Sequence, residues 1–278
     1  MNYEQAVDWL RAKEEYSSLV RLSYLDEDIV GAAQRFAASE EATEVSRLLK
    51  LPSSEKMTIL DIGCGNGIAA YALAAMGHDV VGIDPDPSAK VGVGAFCELN
   101  RHSRGAIRPL LGAAEAIPLS DGCIDRVYTR QAVHHFQNIP VAMRECARVL
   151  RPGGMLLATR EHVVSDAAER EVFLRDHVMQ SLHGNENAFA AEEYISAMEG
   201  AGLRVLSAMG RFETVINYYP GRERERIDEL VAFVLAKKGA VAEWFVRRLP
   251  FLQRRVASIL SRFDHYPGRL HSFLALKS

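Results

Sequence analysis

A short apolar segment followed by a turn of three glycines is the feature that most restricts the fold of this chain. Residues 58–62 read TILDI, and the next residues supply glycines at alternate positions: Gly63, Gly65 and Gly67. Glycine lets the backbone turn sharply and approach a ligand closely. A second apolar segment, residues 79–83, is followed directly by Asp84. The pattern predicts two buried strands with a carboxylate on either side of a glycine turn, a layout suited to a nucleoside ligand.

The spacing of this turn differs from that of the dinucleotide-binding folds. Their turn has the pattern G-x-G-x-x-G, with an acidic residue about 20 positions later, whereas here the third glycine comes one position early. Asp61 also stands directly before the turn, where a negative charge would not favour a pyrophosphate. A ligand that carries a positive charge would gain from it.

The motif D-x-G-x-G-x-G that begins at Asp61 resembles the first motif of the class I S-adenosylmethionine (SAM) dependent methyltransferases, including the type 11-like small-molecule enzymes. Two further segments match in order: residues 112–119, with Asp121 and Asp125 after them, resemble the adenine-side loop and fourth strand, and residues 151–154 (RPGG) resemble the turn before strand five. One position departs from the family pattern, because many relatives carry Asp where this chain has Ala113.

The resemblance implies SAM as the cofactor, bound at the glycine turn. Asp61 would lie near the methionine ammonium group, and Asp84 would bind both ribose hydroxyls. In the absence of an acidic residue at position 113, the backbone near Ala114 and the side chain of Glu115 would hold the adenine. The complete set of cofactor-binding residues that we predict is Asp61, Gly63, Cys64, Gly65, Gly67, Asp84, Pro85, Ala114, Glu115, Arg130 and Gln131.

The rest of the chain predicts an α/β fold with a doubly wound, seven-stranded, mostly parallel sheet and a helical cap. Strands are expected over 58–62, 79–83, 106–111, 124–129, 155–160, 203–209 and 270–277, with helices over 68–76, 88–100, 139–149 and 191–200. The resemblance implies that the last two strands are antiparallel. We therefore divide the chain into an N-terminal helical cap (1–50), a SAM-binding core (51–210) with a polar insert (161–190), a helical insertion (211–269) and a final core strand (270–278).

Composition limits the classes of function. The chain has 278 residues, a formal net charge of -3 and 48% hydrophobic residues, which is typical of a globular protein and gives no broad basic surface for nucleic acid. The four cysteines lack the C-x-x-C spacing, and the N-terminus carries charges in place of an apolar leader. These features indicate reduced thiols and a cytoplasmic protein. The oligomeric state stays open.

Polar side chains follow the predicted fourth and fifth strands, where an acceptor would meet the methyl group. His135 and His134 are the leading candidates for a general base, because a neutral imidazole can remove a hydroxyl proton near working pH. They could equally pack under the ligand or cap a helix. Glu161 and His162 are the alternative base and its orienting partner, although on a strand they would face opposite sides.

The segment 176–187 is dense in hydrogen-bonding groups and would suit a polyhydroxylated acceptor. Together with residues 160–162 (REH), residues 184–188 (GNENA) weakly resemble methyltransferases of bacterial surface-glycan pathways. We expect O-methylation of a small-molecule or glycan-type acceptor. The alternatives are N- or C-methylation of an apolar metabolite and a non-catalytic SAM-binding scaffold. His177 and His183 lack partners at a recognised metal-ligand spacing, so no metal site is expected.

The C-terminal region is basic although the whole chain is acidic. Residues 241–278 carry seven arginines and lysines against two acidic residues, and the basic residues alternate with Trp244, Phe245, Phe251 and Phe263. The favoured interpretation is a cap that packs its apolar stripe on the core. The alternative is peripheral contact with a membrane through residues 241–263.

Overall fold

The computed structural model of the chain describes residues 1–52, 54–103, 107–238 and 240–278, with side chains described outside 235–243. Seven strands form one sheet in the order β3-β2-β1-β4-β5-β7-β6. They are β1 (Thr58–Ile62), β2 (Asp79–Asp84), β3 (Ile107–Leu111), β4 (Ile124–Arg130), β5 (Leu150–Val163), β6 (Leu203–Met209) and β7 (Arg269–Lys277). β7 runs antiparallel to β5 and β6, and the other neighbouring strands are parallel. The predicted doubly wound, seven-stranded, mostly parallel sheet is confirmed.

The helices connect these strands and cover both faces of the sheet. Before β1 come α1 (Tyr3–Arg11), α2 (Ser17–Leu22), α3 (Ile29–Ala37) and α4 (Glu40–Leu48). Between β1 and β6 come α5 (Ile68–Ala75), α6 (Val93–Asn100), α7 (Ile139–Val149), α8 (Ala167–Asp176), α9 (Val178–Leu182) and α10 (Ala191–Gly200). Between β6 and β7 come α11 (Val215–Tyr218), α12 (Glu223–Lys238), α13 (Ala240–Arg248) and α14 (Pro250–Arg262).

Some element boundaries differ from those predicted. The helix expected from residue 88 begins at Val93, because Asp86 and Ser88 use their backbone carbonyls to close a loop after β2. β5 is longer than the predicted 155–160, since the RPGG turn and residues 161–163 continue the strand. The predicted strand over 106–111 starts at a residue outside the described part of the chain, and the observed strand starts at Ile107.

Two apolar layers form the core, one on each face of the sheet. One face packs against α3, α4, α5 and α6, and the other packs against α7 and α10. The helices between β6 and β7 bury a smaller cluster of their own, centred on Phe212, Leu230 and Val246. The division of the chain into cap, core and insertion stays a prediction. Among the described residues, no helix combines the length and the apolar character needed to cross a membrane.

Candidate active site

A cavity of about 1290 Å³ opens at the carboxyl ends of the central strands. This is the edge of a doubly wound sheet at which ligands bind. Small-molecule cavities usually measure about 300–1,000 Å³, so this one has room for two ligands side by side. Its wall contains the turn after β1, the loops after β2, β3 and β4, and residues from α1, α9 and the loop before β7.

The glycine turn after β1 is held against the end of β2. Gly63 and Gly65 have backbone φ angles of 66° and 50°, values that L side chains rarely adopt. The backbone N–H of Gly65 donates to Oδ2 of Asp84 over 2.8 Å, and the N–H of Asp86 donates to Oδ1 over 2.9 Å. Asp84 is thereby fixed in one orientation, with a second lone pair on each oxygen available to a ligand hydroxyl.

Asp61 is a buried carboxylate at the carboxyl end of β1. Its Oδ2 atom is buried and has no hydrogen-bond partner among the described residues. Burial, and then the nearby charge of Asp84, raise the pKa of Asp61 to about 8. An unsatisfied buried carboxylate is costly. A ligand ammonium group at this point would supply the missing donor, so Asp61 fits the role that the resemblance implies.

Nearly all the predicted cofactor-binding residues border this cavity. Those that do are Asp61, Gly63, Cys64, Gly65, Asp84, Pro85, Ala114, Glu115, Arg130 and Gln131. Gly67 is not among the residues that border it, and a Cβ atom there would lie 2.1 Å from the ring of Phe96. The absence of a side chain at Gly67 allows α6 to pack against the turn, and a cofactor contact at this residue stays a prediction.

Two of the predicted cofactor contacts already bind other protein groups. The Arg130 guanidinium donates to both carboxylate oxygens of Glu41, over 2.8 and 3.3 Å, and to the side chain of Gln131. Oε1 of Glu115 accepts the backbone N–H of Asn138 over 3.0 Å, at the start of α7. Arg130 and Glu115 therefore help to position the loops around the cavity.

His134 and Glu161 form a buried pair beneath the cavity. His134 Nδ1 and Oε2 of Glu161 share a hydrogen bond of 2.6 Å, in which the imidazole N–H donates when Glu161 is ionised, and the same carboxyl group accepts the backbone N–H groups of Ala132 and His134. Burial lowers the pKa of His134 well below its ordinary value, and burial raises the pKa of Glu161 to about 7. Nε2 of His134 has no hydrogen-bond partner among the described residues.

The other two predicted catalytic residues also border the cavity. His135 hydrogen-bonds through Nδ1 to the carbonyl of Asn185 over 2.8 Å, and its side chain stays 34% exposed. His162 hydrogen-bonds through Nδ1 to the carbonyl of Gly268 over 2.8 Å. Since a carbonyl only accepts, Nδ1 of each ring carries the proton and Nε2 carries the lone pair. Of Glu161 and His162, only His162 reaches the cavity wall.

The polar segment 176–187, which includes α9, lines the cavity beside these histidines. Its Glu186 carboxylate is 8% exposed and lies between imidazoles: Oε2 is 3.9 Å from Nε2 of both His134 and His135, and Oε1 is 3.8 Å from Nδ1 of His177. Five histidines border the cavity in total: His134, His135, His162, His177 and His183. The polar segment noted in the sequence thus meets the residues that follow β4 and β5.

The sequence did not predict that residues of the N-terminal helices take part in the cavity. Tyr3 of α1 borders the cavity and packs edge-on against His183, with ring centroids 5.7 Å apart. Glu41 of α4 holds Arg130. Neither residue belongs to a motif, and the amphipathic pattern of α1 and α4 predicts only that one face of each helix is buried.

Comparison with known proteins identifies the type of domain. Residues 60–158 match the family model described as "Methyltransferase domain". The "Ubiquinone biosynthesis O-methyltransferase" of Agrobacterium fabrum is 26% identical over 166 residues, which are 58% of this chain and 65% of that protein. The match thus spans less than two thirds of the length of this relative.

Solved structures share the fold at low sequence identity. A phosphoethanolamine N-methyltransferase 2 from Haemonchus contortus, solved with S-adenosylhomocysteine, has a TM-score of 0.58 and 17% identity, covering 98% of this chain and 60% of that one. The [4+2]-cyclase SpnF has a TM-score of 0.56 and 21% identity, covering 88% and 80%. At these identities the likeness shows the fold alone.

The family assignment rests on the matched domain. It contains Asp61 with the glycine turn and the end of β2 with Asp84, and it implies SAM as the cofactor. Residues 60–158 therefore form a methyltransferase domain of the SAM-dependent type, and the seven-stranded sheet that contains it has the Rossmann-like methyltransferase fold.

Proposed function

We propose that this protein transfers the methyl group of SAM to an oxygen atom of a small-molecule acceptor. The observation that supports this most is that one cavity borders both the glycine turn with Asp84 and a group of histidines that could handle an acceptor proton. The names of the relatives, which are O-methyltransferases, support the choice of oxygen.

SAM, when bound, supplies a methyl group on a positively charged sulfur. Asp61 and the glycine turn would hold its methionine end, and Asp84 would hold its ribose. An acceptor oxygen would attack the methyl carbon in line, so that the O–C bond would form as the S–C bond breaks, with S-adenosylhomocysteine as the leaving group. The protein has mainly to align the two ligands and to exclude water.

His135 is the candidate that we favour as general base. Its Nε2 carries a lone pair and faces the cavity, because Nδ1 is engaged by the carbonyl of Asn185. It would take the acceptor hydroxyl proton as the methyl group arrives. His134 is the weaker candidate, since burial lowers the pKa of its imidazole and a group that resists protonation is a poor base.

The cavity wall favours an acceptor with both an apolar and a hydroxylated part. Apolar side chains of the N-terminal helices and α9 line the cavity together with the histidines, among them Leu10, Leu19, Leu22 and Met179. A hydroxylated ring with an apolar substituent would match both. A glycan-type acceptor is the second candidate, supported by the polar groups of residues 177–186. N- or C-methylation and a non-catalytic SAM-binding scaffold are the remaining alternatives.

We also propose that α13 and α14 make transient, peripheral contact with membranes. Large apolar side chains are exposed there, including Trp244, Phe251 and Phe263, beside arginines that could meet anionic headgroups. Tyr266, which follows α14, is 71% exposed and borders the cavity. An apolar acceptor could therefore enter from a lipid surface. The predicted membrane contact covers residues 241–263, of which residues 241–243 have side chains outside the described part of the structure.

Transfer of radioactive label from methyl-labelled SAM to cell extract tests the function. The products are separated into organic and aqueous phases, with Asp84→Ala as the inactive control and His135→Ala to test the base. We expect label in the organic phase with the wild-type chain only, and at least a tenfold lower rate in His135→Ala with S-adenosylhomocysteine affinity retained. Label in the aqueous phase alone would favour the glycan-type acceptor. Equal label with the Asp84 variant would contradict the proposal.

A further inference from the structure

Two imidazoles and one carboxylate, those of His134, His162 and Glu186, lie close together at the wall of the cavity. Nδ1 of His134 is engaged by Glu161 and Nδ1 of His162 by the carbonyl of Gly268, over 2.6 and 2.8 Å. Nε2 of His162 is therefore the unprotonated atom, and Nε2 of His134 is unprotonated when Glu161 is ionised and accepts from Nδ1. One ring nitrogen of each histidine and a carboxylate oxygen of Glu186 all lie within 4.8 Å of one another.

Within the described residues, hydrogen bonding does not account for this group. His134 is 2% exposed, yet its Nε2 has no partner, and the nearest oxygen of Glu186 is 3.9 Å away. This separation is too long for a hydrogen bond. Two atoms that share a tetrahedral ion through bonds of about 2.0–2.2 Å lie about 3.4 Å apart. The His134–Glu186 pair would close by about 0.5 Å on binding, and the widest pair by up to about 1.4 Å through side-chain rotation.

We propose that His134, His162 and Glu186 bind one divalent transition-metal ion, with Zn²⁺ as the best match. Two neutral imidazoles and one carboxylate form a donor set that suits Zn²⁺ and leaves coordination positions open. The hydrogen bonds from Nδ1 to Glu161 and to a backbone carbonyl are the outer contacts that orient metal-binding histidines. Two buried carboxylates, Glu161 and Glu186, match the double positive charge.

The position of this site suggests its use. All three ligands come from segments that meet the acceptor end of the cavity, and His135, the proposed base, also lies 3.9 Å from Glu186 through Nε2. An ion here would bind an acceptor oxygen and lower the pKa of its hydroxyl group. This role rests on the proposed function, whereas the binding of the ion does not.

Titration calorimetry with Zn²⁺ on the chelator-treated full-length chain tests the site directly. We expect one Zn²⁺ per chain with a Kd of about 1 µM or lower, and at least tenfold weaker binding in His162→Asn and in Glu186→Gln. Glu161→Gln should also weaken binding by about tenfold, because outer contacts typically contribute that much. His183→Gln is the matched control, since His183 borders the same cavity and is outside the ligand set; its affinity should equal that of the wild type.

Two further measurements separate failure of the site from failure of the proposed function. S-adenosylhomocysteine affinity, measured on the same proteins, should be unchanged in Glu186→Gln. Bound Co²⁺ should give visible absorption with the wild-type chain and none with Glu186→Gln. This measurement needs no histidine variant, so it still tests the site if His162→Asn does not fold. Absence of Zn²⁺ binding in the wild type, or equal affinities in the Glu186 and His183 variants, would overturn the metal site and leave methyl transfer as a separate question.

Discussion

Asp84 is held by two backbone amides before any ligand arrives, so its charge is already oriented toward the cavity. Hydrogen bonds from ligand hydroxyls to a fixed carboxylate contribute about 1.5–3 kcal/mol in total. We therefore expect Asp84→Ala to weaken S-adenosylhomocysteine binding by about 1.5–3 kcal/mol in titration calorimetry. Asp79→Ala is the control, because Asp79 lies at the opposite end of β2 and pairs with Lys56. Equal affinities of the Asp84 variant and the wild type would place the cofactor elsewhere.

Asp61 gives the ligand-free protein a specific dependence of stability on pH. Its pKa rises from an ordinary value of 3.8 to about 8 on folding, chiefly through burial. The folded chain thus binds this proton more tightly than the unfolded chain, and the Asp61 contribution to stability falls as pH rises from about 4 to about 8.

Asp61→Asn removes this contribution. We expect the melting temperature of the variant, minus that of the wild type, to be larger at pH 8 than at pH 5 by at least about 2 °C, which corresponds to roughly 1 kcal/mol in a chain of this size. Ligand-free protein and calorimetry at both pH values are needed. A difference that does not change with pH would show that Asp61 is ionised in the folded state over this whole range.

At the scale of elements, the Glu41–Arg130 pair joins α4 to the end of β4. Both side chains are buried, and the guanidinium bonds both carboxylate oxygens. Removing one member leaves a buried charge without its partner, which typically costs about 3–5 kcal/mol. We expect a loss of this size in Glu41→Ala by urea unfolding.

The matched control for this pair is Glu44→Ala on the same helix. Glu44 pairs with Arg47, whose side chain is mostly exposed, and exposed pairs contribute about 0–1 kcal/mol. Similar losses in the two variants would mean that α4 is held by its apolar face alone, through Ala42, Val45 and Leu48.

At the scale of the whole molecule, charge is distributed unevenly. The chain has a net charge of -3, yet its last 38 residues are basic and include exposed aromatic side chains. If this end meets membranes, the full-length protein should sediment with anionic vesicles at low salt and be released by about 0.5 M salt, because salt screens such attraction. Phe251→Ser combined with Phe263→Ser should reduce the bound fraction. No sedimentation at low salt would remove the proposal of membrane contact.

The sequence by itself determined the sheet and the meeting of the glycine turn with Asp84. Alternating apolar segments and helices specify a parallel sheet, and the glycine turn and Asp84 stand at the ends of adjacent strands, so local pattern is enough to bring them together. The packing role of Gly67 could not be predicted from the sequence. A Cβ atom at this position would clash with the ring of Phe96, a residue 29 positions later that only the fold brings close.

Only the tertiary structure decided how the acceptor end is built. His134, His162 and Glu186 come from the loop after β4, the end of β5 and the segment after α9, so no spacing along the chain relates them. Which ring nitrogen carries the proton depends on partners as distant as Gly268. Local sequence preferences set strands and turns, whereas the convergence of polar atoms from separate segments depends on packing that no short motif encodes.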